Sequence, residues 1–311
     1  MTNINENLSS KYDIIFKTVA GSYLYGTATE NSDLDERGVC MEPVDSLLGL
    51  ANFEQYEYRG DSRDIVLYGL RKFVNLALGQ NPNITEILFA PTREYKLFNG
   101  KTTPIGVSQA WMDIVNIRHA FLSRKVCDTF IGYAVSQLKR METHYRWMGQ
   151  TPPVKPSPFD YGYIMATNSS ASTWTSVNEK NRYDNDLKTW TQYNTWLENR
   201  NKDRHGLEEK YGYDTKNAMH LVRLLQQGEE LLETGNLTLP RPNAKQLLEV
   251  RNGIWTYDTV LKYMETKKVE LESIKETSVL PKNPDYKTVA DMVTKLNYNY
   301  VNMIFDEKAY K

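Results

Sequence analysis

The chain predicts an α+β protein: a small unit of strands and helices at the N-terminal end, followed by a mainly helical domain. Three observations carry this. The first hundred residues contain short runs of β-branched and aromatic residues that stop at glycines or turns. Beyond about residue 105, apolar residues recur at helical spacing over long stretches. The 311 residues, 40% of them hydrophobic, suffice for a sizeable core in one large or two modest domains.

Taken in order, "DIIFKTVA" reads as a strand ending at Gly21, and residues 22–26 as one short helical turn. "LDERGVCM" and "SRDIVLYGL" are further strand candidates. In "GLRKFVNLAL" the apolar residues Leu70, Phe73, Val74, Ala77 and Leu78 mark a helix, which Gly79 and the "NPN" turn close. "ITEILFA" is a short helix or strand stopped by Pro91. The segment from "SQAWMDIV" to "HYRWM" is long, free of proline and helical in its spacing. "GQTPPVKPSPFDYGYIMATNSSASTWTSVN" is rich in Pro, Ser and Thr and predicts a long exposed loop near 149–178. Helices return after it. The clearest is "DTKNAMHLVRLLQQGEELLETG", with Asp214 placed to cap its start and Gly235 to end it. The expected division is a core over 1–105 and a helical domain over 106–311.

Composition narrows the function. Lys plus Arg (38) nearly balances Asp plus Glu (39), so overall charge gives no reason to expect nucleic acid or membrane, though a local basic patch is compatible with it. The two cysteines, Cys40 and Cys127, have no metal-site spacing. No apolar run approaches the ~18 residues that span a membrane, and the polar start "MTNINENLSSKYD" is unlike a signal segment. The expected location is the cytosol.

The chemistry concentrates in "GSYLYGTATENSDLDERGV". Asp33 and Asp35 are two apart, so on an extended segment both carboxylates point to one face. Two such acids repel without a cation. A hard divalent ion relieves that repulsion and shares substrate phosphates. Gly21 permits close backbone approach and Ser22 adds a hydroxyl. The combination suits a triphosphate held against metal ions.

This Gly-Ser…Asp-x-Asp pattern resembles the signature of the DNA polymerase β-type nucleotidyltransferase superfamily. Ser32 before the acids and "RGV" after them make it similar to the bacterial and phage nucleotidyltransferases called the YcgL family. The resemblance implies a polymerase β-like core with a mixed β-sheet, and two Mg²⁺ ions, with Mn²⁺ as a substitute. It also implies a third carboxylate on a later strand. Asp64 is the choice, for metal ligation and acceptance of the attacking hydroxyl's proton. Asp61, in a turn-like "GDS", competes with it. Gly21, Ser22 and Ser32 then contact the nucleotide.

A second site lies in the helical half. Lys216, His220 and Arg223 are spaced i, i+4, i+7 and share a helix face, with Met219, Val222 and Leu225 as a core stripe opposite. Upstream, Arg200 and Arg204 are four apart. These segments are similar to the helical half of the same family. The resemblance makes Lys216, His220 and Arg223 nucleotide or phosphate contacts and Arg200 and Arg204 substrate contacts. It implies an enzyme that moves an NMP from an NTP, such as ATP, to an acceptor hydroxyl. The acceptor expected by family analogy is an RNA 3′ end, tRNA included. Transfer to a protein or small molecule, or nucleotide binding without turnover, are the alternatives.

Overall fold

The computed structural model describes residues 11–30, 32–60, 62–91, 108–149, 151–166, 172–198 and 202–309. Asp61 and Arg200 therefore lie outside the described residues, as does the 167–171 part of the expected loop.

β1 (Ile14–Val19) leads into α1 (Gly21–Tyr25), a single helical turn. β2 (Leu34–Cys40) follows, then α2 (Val44–Leu47), β3 (Gln55–Arg59) and β4 (Arg63–Gly69). The four strands form a sheet in the order β1-β2-β4-β3. β1 and β3 run antiparallel to their neighbours, and β2 and β4 are parallel, so the sheet is mixed. β3, "QYEYR", escapes a reading of the sequence because it carries no run of apolar residues and none of its side chains is fully buried.

α3 (Leu70–Leu78) and α4 (Pro82–Leu88) come next, which makes the "ITEILFA" segment mostly helix. Asn81 caps α4, its Oδ1 accepting from the Asn83 amide at 3.0 Å. The proline-free stretch is helical, as its spacing predicts, but in separate pieces. α5 (Gln109–Asn116) ends in a 3₁₀ turn at Arg118–Phe121, and α6 (Lys125–Gly149) starts afresh. The break has no Pro or Gly to announce it. It is held by tertiary hydrogen bonds, among them Gln80 to the Phe121 carbonyl and Arg124 to Leu280 and Ser278 carbonyls.

One face of the sheet packs on α5. Trp111 is fully buried, stacked at 3.7 Å on Phe16 of β1, with Phe73 of α3 at its edge. Such a ring pair adds about 0.5–1.5 kcal/mol beyond its buried area. Cys40, Ile65 and Leu67 pack with Tyr12, Ile14, Phe53, Tyr56 and Tyr58 into a second cluster. Burial pushes the Cys40 thiol up to about 12 and the Cys127 thiol up to about 11, so both are protonated at neutral pH.

The rest is helical: α7 (Val177–Glu198), α8 (Lys202–Tyr211), α9 (Thr215–Thr234), α10 (Ala244–Arg251), α11 (Tyr257–Thr277) and α12 (Tyr286–Ala309). Asp214 caps α9 as expected, accepting from the Asn217 amide at 2.9 Å. Gly235 ends it in the left-handed region at φ 68°. The chain is thus an α+β protein with a mixed sheet followed by a mainly helical region. Among the described residues no helix is long and apolar enough to cross a membrane.

Two compact units are distinguished, Met1–Ser136 with Met219–Lys311, and Gln137–Ala218. The second contains the segment expected as a loop. It holds a 3₁₀ turn at Pro158–Tyr161 and a small antiparallel pair, β5 (Tyr163–Ile164) and β6 (Thr173–Trp174). Trp174 meets Tyr163 and Tyr183 at 5.1 Å each, and the Tyr161 hydroxyl donates to Asp186 at 2.5 Å. Aromatic contacts thus order a stretch whose composition reads as loop.

Candidate active site

Sheet register brings the acids together. In the parallel pair β2–β4, Asp35 lies directly opposite Asp64. Adjacent strands are about 4.8 Å apart, and residues in register share a face. Asp33 stands just before β2 and is exposed, whereas Asp35 and Asp64 are half-buried. Side-chain alternation sends Glu36 to the other face, where it is 1% exposed. There Lys17 reaches it at 2.9 Å and Arg63 at 2.5 Å. Burial alone would raise the Glu36 pKa, but the hydrogen bonds and charges of Lys17 and Arg63 outweigh it and hold the carboxyl below the usual range. The motif "DLDER" therefore divides its charges between two faces: Asp35 toward the open site, Glu36 into a buried ion cluster.

Gly21 shapes the space over Asp35. The Ala20 amide donates to the Asp35 carbonyl at 2.8 Å, which holds the start of α1 against β2. Gly21 adopts φ 58°, and a Cβ there would stand 2.3 Å from Asp35 Oδ2. Only glycine lets the carboxylate sit so close to the backbone. Ser22 is half-buried, and its carbonyl accepts from Thr27. The Ser32 hydroxyl closes the turn before the acids, accepting from the Thr29 amide at 2.9 Å and meeting Thr29 Oγ1 at 3.2 Å.

α1 is anchored from behind through Tyr25 and Glu86, which the sequence did not single out, and through Arg223, which was expected as a nucleotide or phosphate contact. The Tyr25 hydroxyl donates to Glu86 Oε2 at 2.6 Å. Arg223 of α9 pairs with Glu86 Oε1, donates to Gln227 at 3.1 Å and stacks its guanidinium 3.9 Å from the Tyr25 ring. Burial pushes the Tyr25 phenol up, so it stays protonated as a donor. Arg223 is 5% exposed. Its guanidinium faces Glu86 and Tyr25, whereas Lys216 and His220 on the same helix are half-buried. A lone acid in the apolar "ITEILFA" was the only local sign of this cluster; nothing local names its partner. Arg204 falls within α8.

Among the described residues, no group of three or more His, Cys, Asp or Glu side chains is gathered to hold a metal ion. Asp33, Asp35 and Asp64 are thus not a ready-made three-acid cage. The Asp35–Asp64 pair nonetheless suits a hard cation that takes one or two carboxylates and completes its shell with substrate phosphates, which is the habit of Mg²⁺.

Comparison with known proteins bears on this site. A protein-family model described as "RlaP: RNA repair pathway DNA polymerase beta family" matches residues 2–294. Among curated proteins, none matches the chain. A crystal structure of a nucleotidyltransferase-like protein from Exiguobacterium sibiricum 255-15 aligns with 98% of this chain and 89% of that one. Its identity is 10% and its TM-score 0.27, too loose an overlap to bear on fold or activity. The matched family carries a different description from the YcgL group that the motif resembles. What the two share is the polymerase β-like nucleotidyltransferase superfamily.

Proposed function

Because this chain belongs to the RNA repair pathway DNA polymerase β family, we propose that it is a metal-dependent nucleotidyltransferase. It moves an NMP from an NTP to the 3′ hydroxyl of an RNA, tRNA included. The observation that carries this reading is Asp35 set in register with Asp64, its carboxylate packed over Gly21. In the reaction the acceptor oxygen forms a bond to the α-phosphorus, the α–β phosphoanhydride breaks, and pyrophosphate leaves. Mg²⁺, or Mn²⁺ in its place, would be held by Asp35 and Asp64 with Asp33, and would neutralise phosphate charge and acidify the acceptor hydroxyl.

The chain's own residues position the reactants and accept a proton. Gly21 and Ser22 admit the phosphates close to the backbone, and Asp64 takes the proton of the attacking hydroxyl. The Tyr25–Glu86–Arg223 cluster keeps α1 from shifting over Asp35. Lys216 and His220 are assigned to nucleotide phosphates, and Arg200 and Arg204 to the acceptor. On this reading residues 1–105 form the catalytic core, and the helical domain over 106–311 adds contacts to the nucleotide and the acceptor.

A second reading, transfer to a hydroxyl of a protein or small molecule, is favoured by the balanced charge of 38 basic against 39 acidic residues. Incubation with α-labelled NTPs and Mg²⁺, with and without total RNA, separates the two. Label on RNA that vanishes in Asp35→Ala and Asp33→Ala is the expected result. Label on protein alone sinks the RNA assignment. Intact NTP binding with no transfer to any acceptor sinks the enzyme.

A further inference from the structure

Arg37 stands two residues beyond Asp35 on β2, so strand alternation puts both side chains on the face shared with Asp64. Its guanidinium donates to the Glu36 carbonyl at 2.8 Å and the Asp64 carbonyl at 3.5 Å. It also lies 3.4 Å from Asp35 Oδ1. One cation therefore bridges the two strands that carry the candidate metal-binding acids.

Its hold on Asp35 is loose. The two side chains are 23% and 31% exposed. Pairs this open and this long are weak, because water screens them and both chains lose rotamer freedom. The contrast with Glu36 is informative: there two cations close to 2.9 Å or less around a carboxylate that is 1% exposed. The same strand carries one locked ion cluster and one exchangeable pair, on opposite faces.

We infer that Arg37 is an exchanging cation. It neutralises Asp35 while the acids hold no divalent ion, and it turns to the triphosphate when the metal–nucleotide complex arrives. The inference rests on the metal-dependent reading above. Two physical reasons support it. A divalent ion on Asp35 would stand within a few ångströms of the guanidinium, and like charges at that range repel. The displaced fork, still anchored on β2, is then beside the phosphates that complete the ion's shell, and its geometry suits phosphate oxygens. Arg37 thus competes with free metal and cooperates with metal–nucleotide. In the first state it is a positioning residue, and in the second it touches substrate.

The test is equilibrium binding on the full chain, with Mn²⁺ followed by its paramagnetic resonance signal. Wild type, Arg37→Gln, Arg37→Lys and Asp35→Asn are titrated with Mn²⁺ alone and with Mn²⁺ plus α,β-methylene-ATP. Arg37→Gln should bind free Mn²⁺ about tenfold more tightly than wild type and the Mn²⁺–nucleotide complex about tenfold more weakly. Arg37→Lys should match wild type for free Mn²⁺ and fall between for nucleotide, because it keeps charge but lacks the fork. Equal affinities in wild type and Arg37→Gln overturn the inference. So does weaker Mn²⁺ binding in Arg37→Gln, with a lower unfolding temperature, which marks a structural strut. A failure of the metal reading looks different: wild type and Asp35→Asn would bind Mn²⁺ alike, and the inference would fall with it.

Discussion

Gly21→Ala is the sharpest perturbation of the proposed site, because one methyl group strikes both its backbone and its acid. The added Cβ would stand 2.3 Å from Asp35 Oδ2 and 3.1 Å from Cγ. Restoring an ordinary contact requires the carboxylate to retreat by about 1 Å, and a displacement of that size costs roughly 100-fold in rate. The backbone cannot yield instead without loss, since the Ala20 amide is bonded to the Asp35 carbonyl at 2.8 Å. Gly21 also sits at φ 58°. An alanine there costs about 1–2 kcal/mol, which in a chain of 311 residues lowers the unfolding temperature by only roughly 2–3 °C. The expected result is therefore a protein that folds at 25 °C and transfers NMP about 100-fold more slowly at saturating NTP. Initial rates of label transfer, paired with thermal unfolding of the same preparation, measure both terms. A turnover within threefold of wild type would refute the reasoning, because Asp35 could then move without consequence.

Two further predictions concern the buried ion clusters. Glu36→Gln leaves Lys17 buried without its carboxylate partner and should cost about 3–5 kcal/mol at neutral pH. Because the folded-state pKa of Glu36 lies below its ordinary value of 4.5, its contribution is present above that value and is lost as pH falls through the folded-state pKa. Denaturant titrations at pH 7 and pH 3.5 should accordingly show a smaller acid loss in Glu36→Gln than in wild type; equal losses would place the acid sensitivity elsewhere. Glu86→Leu should destabilise by about 3–5 kcal/mol by stranding the Arg223 guanidinium, while Glu86→Leu with Arg223→Met should recover most of it. A single variant within ~1 kcal/mol of wild type would free Arg223 from its anchoring role.

Local pattern was enough to read much of this protein. "DIIFKTVA", "LDERGVCM" and "SRDIVLYGL" are strands because their β-branched and aromatic residues suit a pleated, half-buried surface. Asp214 and Gly235 bound α9 through capping chemistry that needs only their neighbours. β3 and the β5–β6 pair were not legible, since weakly buried strands of polar and aromatic residues draw their pairing from partners remote in sequence. The turn between α5 and α6 was hidden for the same reason: its bonds reach residues over a hundred positions away.

The candidate site divides along the same line. The sequence by itself determined that Asp33 and Asp35 stand two apart after a Gly-Ser turn, because strand periodicity and glycine's freedom are local facts. Tertiary structure decided that Asp64 lies opposite Asp35, that Arg37 bridges their strands, and that Arg223 turns inward to Glu86. Register between parallel strands, and which face of a helix meets the core, depend on partners far along the chain, and no local spacing encodes them.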